Sequence, residues 1–167
     1  MDNIMARMLK GLALTVFIII LDQLTKNYAV QELILHQPVP LFSGFNFTLM
    51  HNTGAAFSFL NQVGSWFFIT LASAVSIFIV VWMTSLPSNK RWLFFALAFV
   101  LGGALGNLWD RVALGYVIDF IDVSLGFMPW RIFNPWPAFN IADSAIFIGA
   151  VMLIIDAIWI DDSENDG

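Results

Sequence analysis

Asp143 sits in 139-FNIADSAIFIGAVMLIIDAIWI-160, a stretch otherwise apolar enough to cross a membrane. A carboxylate at the centre of a membrane helix costs about 2.5–3.5 kcal/mol on insertion scales, so its presence there is a functional hypothesis by default. No basic residue lies within a turn of it, so its partner must be another polar group. Asp119 is the candidate, standing in 116-YVIDFIDV-123 among Tyr116, Val117, Ile118, Phe120 and Ile121. Asp122 is the fallback. Two carboxylates within hydrogen-bond reach cannot both ionise, so one pKa rises and the pair shares a proton. One can then take a proton from water while the other protonates a carbonyl oxygen or leaving amine. The same two residues could equally bind a cation or relay protons.

Other chemistries fare worse. The chain has no cysteine, which removes thiol nucleophiles, disulfides and cysteine-ligated metals. His36 and His51 are too few for a histidine-rich metal site, and His51 reads as a surface or sheet-edge residue. Ser58 and Ser144 lack a plausible base. Seven Lys and Arg form no basic patch, which argues against nucleic acid as a partner. The net charge of −5 comes largely from 161-DDSENDG-167.

The elements that must position these residues are membrane helices. Of the 167 residues, 59% are hydrophobic and 11% charged, against about 45–50% and 25% in a soluble domain. Four spans meet the requirement of roughly 20 apolar residues: about 9–29, 63–83, 92–109 and 139–160, in one integral membrane domain over 1–167. Arg7 and Lys10 before 11-GLALTVFIIIL-21 resemble a secretory leader, but no A-x-A site follows, so a retained first span is expected. With both termini cytoplasmic, Arg7, Lys10, Lys90 and Arg91 fall inside. Lys26, Arg111 and Arg131 then lie outward, with Asp119 and Asp143 near the outer face. Asp156 falls near the cytoplasmic interface, where water solvates it.

Within the spans, Asp22 and Lys26 share a helix face at i, i+4 and can pair, fixing span one against its neighbours. Gly102, Gly106 and Asp110 form one row of span three, and Gly103, Asn107 and Arg111 the next. The glycines permit close helix approach. Asn107, Asp110 and Arg111 gather at its outer end, to brace the bundle or touch substrate. Of the two outer connections, 30–62 and 110–138, the first carries a strand signal in 45-FNFTLMH-51, a turn at Asn52-Thr53-Gly54 and a possible return strand 55-AAFSF-59. The segment 124–138, rich in proline and aromatics, reads as an irregular loop touching lipid or substrate.

Five stretches in order, 22-DQLTK-26, 51-HNTGAAFSFL-60, 102-GGALGNLWDR-111, 115-GYVIDF-120 and 139-FNIADSA-145, make the chain resemble lipoprotein signal peptidase, or signal peptidase II. The resemblance implies an intramembrane aspartyl protease of the bacterial inner membrane, with four helices, a small outer β-cradle and a periplasmic helix. It implies cleavage of prolipoproteins on the N-terminal side of a diacylglyceryl-modified cysteine. No metal or other cofactor is implied, and inhibition by the cyclic peptide globomycin is. The catalytic positions fall on Asp119 and Asp143. The supporting positions fall on Asp22, Lys26, Asn52, Gly54, Asn107, Asp110, Arg111, Asn140 and Ala142. A monomer in contact with membrane lipid is expected. The loop containing 129-PWRIFNPWP-137 is longer than is usual in the family, which leaves open whether Arg131 and Trp136 add contacts. The rival reading is a small proton- or cation-coupled transporter component, in which the aspartates would carry ions.

Overall fold

A computed structural model describes residues 2–54, 64–123 and 137–160. Four helices are long and apolar enough to span a membrane: α1 (Asp2–Glu32), α2 (Gly64–Ser85), α3 (Arg91–Leu114) and α4 (Ile141–Ile155), the last continued by a π-helical turn, Asp156–Ile160. At 1.5 Å per residue, the 31 residues of α1 extend for about 46 Å, well beyond a hydrocarbon core of about 30 Å. Its outer third therefore projects toward a small sheet.

That sheet has three antiparallel strands in the order β1 (Val39–Phe42), β2 (Phe45–Asn52) and β3 (Val117–Val123). The expected strand at 45–51 is present, but both its described partners lie elsewhere than expected. One is β1, and the other is β3, which holds Asp119 in a strand and not in a loop. β3 escapes a period-two reading because Val117, Ile118, Asp119 and Phe120 are all buried, on both faces. The anticipated return strand 55–59 and nearly all of the 124–138 segment, with Arg131, Trp136 and any periplasmic helix, lie outside the described residues, as does Ser58.

β2 does not alternate cleanly either. Its register against β3 shifts between Phe47, opposite Ile121, and Met50, opposite Asp119. Odd-numbered residues face the Asp119 side before this bulge and even-numbered ones after it. Asn52, and not His51, thereby reaches the carboxylate. His51 is exposed and stacks on Tyr116, with ring centroids 4.0 Å apart.

α3 is the central helix and packs on α1, α2 and α4. Phe94, Ala96, Leu97 and Ala98 are fully buried, joined by Leu101 and by Ile79 and Met83 of α2. Lipid is as apolar as these side chains, so close packing rather than water exclusion holds the helices together. Two glycines of α3 bring it close to α4 and α1. A Cβ on Gly103 would collide with the carbonyl oxygen of Ala142 on α4, and one on Gly106 would lie 2.8 Å from Asp22 Oδ2 on α1. Asp156 departs from expectation: it is buried, and its Oδ1 meets no hydrogen-bond partner among the described residues.

Candidate active site

α4 starts where it does because of Asn140. Its side chain accepts from the Asp143 amide at 2.8 Å, while the Asp143 carboxylate accepts from the Asn140 amide at 3.3 Å, a capping box. Asp143 is thus at the third helical position and not at mid-membrane. There the exposed amides and the positive end of the helix dipole favour a carboxylate. The signal was present in the spacing Asn140-x-x-Asp143, and sequence reasoning passed over it.

The chain before the cap closes on β3. The Phe139 amide donates to Ile121 O at 3.0 Å, and the Phe120 and Ile121 amides share Phe139 O. This brings Asn140, fully buried, against the strand. Its Nδ2 donates to Asp119 Oδ1 at 2.7 Å and lies 3.1 Å from Asn107 Oδ1. Asn107 Nδ2 in turn donates to Asp143 Oδ1 at 2.8 Å. Asn140 therefore touches both aspartates, and Asn107 ties it to the second.

The orientation of Asn107 follows from Lys26. An ammonium can only donate, and Lys26 Nζ lies 3.0 Å from Asn107 Oδ1, so the amide NH2 must turn toward Asp143. Lys26, 1% exposed, also pairs with Asp22 at 2.7 Å and Asp110 at 2.8 Å. The far oxygens of both acids are engaged too. Asp22 accepts the Ala142 amide at 2.9 Å and Asp110 accepts Gln23 Nε2 at 2.8 Å. The Ile118 amide donates to Asp110 at 3.1 Å. The expected Asp22–Lys26 pair is thus one side of a three-charge knot joining α1 and α3, with hydrogen bonds to α4 and β3. Gln23 was not anticipated, although its position beside Asp22 faces the same helix.

Asn52 Nδ2 donates to Asp119 Oδ2 at 2.9 Å, and its own Oδ1 accepts the Gly54 amide at 2.9 Å. Gly54 has a φ of 90°, open mainly to glycine. Arg111 is half-buried, with its guanidinium 5.2 Å over the Phe68 ring and within electrostatic reach of both aspartates. Every anticipated site residue therefore falls in one region at the sheet end of the bundle. Asp122 does not join it: strand parity turns it away from Asp119, and it accepts from Thr48 at 2.8 Å. Ser144 is tied down as well, donating to Asn140 O at 2.9 Å.

Asp119 is 1% exposed. Burial, then the nearby Asp143 charge, raise its pKa from 3.8 to about 7 against the opposing pull of Asn52, Asn140 and Lys26. Beside the pair, Phe139, Asp143, Ser144, Phe147 and Ile148 line a cavity of about 380 Å³, with Phe147 and Ile148 exposed at its outer edge. An acyl or apolar peptide chain can enter that groove from lipid and meet a carboxylate at its inner wall.

Four helices able to span a membrane, a small sheet and a buried carboxylate beside a half-buried one define a polytopic membrane protein equipped for acid–base chemistry. A family model described as signal peptidase (SPase) II matches residues 14–159. The chain belongs to that family. A lipoprotein signal peptidase of Teredinibacter turnerae is 50% identical over 160 residues, covering 94% of this chain and 91% of its own. One from Pseudomonas aeruginosa is 48% identical over 154 residues, covering 89% and 87%. A solved bacterial membrane enzyme, determined by the in meso method at 1.9 Å resolution, superposes with a TM-score of 0.78 at 30% identity. It covers 90% of this chain and 93% of its own. Family membership makes this multi-pass membrane protein a protease that removes signal peptides from prolipoproteins.

Proposed function

We propose that Asp119 and Asp143 form an aspartic-protease dyad that cuts prolipoproteins on the N-terminal side of the diacylglyceryl-modified cysteine, without metal. The observation that carries this reading is one buried asparagine, Asn140, holding both carboxylates while one of them has a pKa of about 7. In the resting state Asp119 keeps the shared proton, and Asp143 is the carboxylate, steadied by Asn107 Nδ2 and the Asn140 amide. Asp143 takes a proton from water, whose oxygen attacks the scissile carbonyl carbon as Asp119 protonates the carbonyl oxygen. The tetrahedral diol then collapses. Its hydroxyl proton returns to Asp119, Asp143 gives its proton to the cysteine nitrogen, and the C–N bond breaks.

Asn52, Asn107 and Asn140 orient the dyad, while Asp22, Lys26, Asp110 and Arg111 set its position and field. Gly54 and Ala142 contribute backbone amides, to Asn52 and Asp22 respectively. The apolar groove beside Asp143 suits a lipid-borne substrate entering sideways. We place the protein in the bacterial inner membrane as a monomer, both termini cytoplasmic, the dyad near the outer face, and globomycin competing for that groove.

The test is cleavage of a diacylglyceryl-cysteine prolipoprotein peptide in micelles with chelator present. Wild type should cut it, and folded Asp143→Asn should be slower by at least about 10³-fold, the scale of losing one acid–base partner. A variant that cuts as fast as wild type would remove Asp143 from the mechanism. An intact peptide together with ion flux in liposomes would favour the transporter reading.

A further inference from the structure

The end of the bundle away from the carboxylates carries a second built site. Arg7 of α1 is 7% exposed, and two of its nitrogens donate to the carbonyls of Leu86 at 2.7 Å and Pro87 at 2.5 Å in the α2–α3 link. Its guanidinium lies 4.7 Å over the Phe94 ring, and its Nε has no hydrogen-bond partner among the described residues. A cation buried to this degree keeps a net positive charge that the two neutral carbonyls do not cancel, which an anion in the adjoining space would neutralise.

The space beside it fits one. Arg7, Lys10, Ser88, Asn89, Arg91 and Phe95 line a cavity of about 520 Å³, with three cations and, among the described residues, no acidic side chain in its wall. That volume lies within the roughly 300–1,000 Å³ usual for ligand pockets. Arg91 opens α3, whose N-cap residue Lys90 makes no side-chain cap bond, so the positive end of that helix dipole adds to the three charges.

We infer that this cavity binds the phosphate of an anionic membrane lipid, with a glycerophosphate headgroup between Arg7, Lys10 and Arg91. Basic pockets between membrane helices at the interface are suited to such headgroups. The surroundings select a lipid over a free phosphate. Phe17, Leu21 and Leu24 follow Lys10 at 7, 11 and 14 residues, on one helical face. They are 60%, 38% and 62% exposed, a track for an acyl chain leading away from the cations. Trp92, next to Arg91, is half-exposed and donates from Nε1 to Met152 O at 2.8 Å, the posture of an interfacial anchor. A headgroup seated here would clamp α1 to the α2–α3 link at the membrane face opposite the dyad.

The experiment is native mass spectrometry of the full chain in detergent, titrated with phosphatidylglycerol, phosphatidylcholine, glycerol 3-phosphate or inorganic phosphate. Melting curves would be recorded alongside. Phosphatidylglycerol should bind at least tenfold tighter than phosphatidylcholine and raise the melting temperature, with the two soluble phosphates far weaker. Because Arg7 also braces the link, the informative variant is Lys10→Ala with Arg91→Ala, which should fold, bind phosphatidylglycerol at least tenfold more weakly, and keep peptide cleavage in lipid-free micelles. Equal binding of phosphatidylcholine, or unchanged affinity in the double variant, overturns the proposal. Soluble phosphate as tight as lipid overturns the lipid assignment. Binding that appears only after deletion of 161-DDSENDG-167 would make that acidic tail the occupant, and the proposal would fail.

Discussion

Asp119 and Asp143 are the same residue type with opposite assignments, and their surroundings make the difference. Asp119 is walled in by a strand and by Asn140, while Asp143 stands on a helix N-terminus with two donors. With Asp119 at about 7, cleavage should fall on the alkaline side with an apparent pKa near 7 as the shared proton is lost, which a pH profile of kcat/KM reads. Asn52 favours the charged form, so Asn52→Ala should move that limb to higher pH, and an unmoved limb would detach Asn52 from the dyad. The same shift bears on stability. A folded pKa raised above 3.8 means that Asp119 supports the fold fully below pH 3.8 and that this support is lost as pH rises through about 7. The melting temperature of wild type should therefore decline more between pH 5 and 8 than that of Asp119→Asn. Asp119 was legible in the sequence because a carboxylate among Val, Ile and Phe needs a reason. The asparagines that hold the pair were not legible from composition, since an amide carries no charge penalty; Asn107 was picked out by its row on the third span, and Asn140 by the family resemblance alone.

The glycine face of α3 and the bulge in β2 decide whether these residues meet. Gly103→Ala would drive a methyl into backbone, which cannot turn aside, so α3 and α4 must part. Overpacking of this kind costs about 1–3 kcal/mol, and it should also cut activity, since Asp143 follows Ala142 directly. Gly115→Ala is the control. Gly115 has a φ of 84° and open space at its Cβ, so the change should cost about 1–2 kcal/mol and leave turnover nearly intact. Melting curves and cleavage rates of both variants check the pair. Deleting His51, one residue past the bulge, would leave Met50 opposite Asp119 but set Asn52 opposite Ile118, on the other face; loss of cleavage with strand content retained by infrared spectroscopy is the expected result. The spans could be read because lipid imposes a length and a composition on any helix that crosses it. The strands β1 and β3 could not. The first is four residues with a proline, and the second is buried on both faces and so lacks alternation.

On the scale of the molecule, one lysine joins the parts. Lys26→Met would leave Asp22 and Asp110 buried without a counter-ion, which costs about 3–5 kcal/mol, seen as a sharp drop in melting temperature. Adding Asp22→Asn and Asp110→Asn should recover part of that stability but not activity, because Asn107 would lose the donor that turns it toward Asp143. That lysine also has a bearing on how the protein is made. Asp22 and Lys26 are one helical turn apart on α1, so the first span can leave the translocon with its two charges already cancelling each other. Asp110, on the third span, has Arg111 next to it in the chain but meets its ion-pair partner only when α1 is beside it. Membrane entry in chain order thus brings the acid to a cation already waiting in the bilayer, and a chain whose first span arrived last would have to carry Asp110 into lipid without its ion-pair partner.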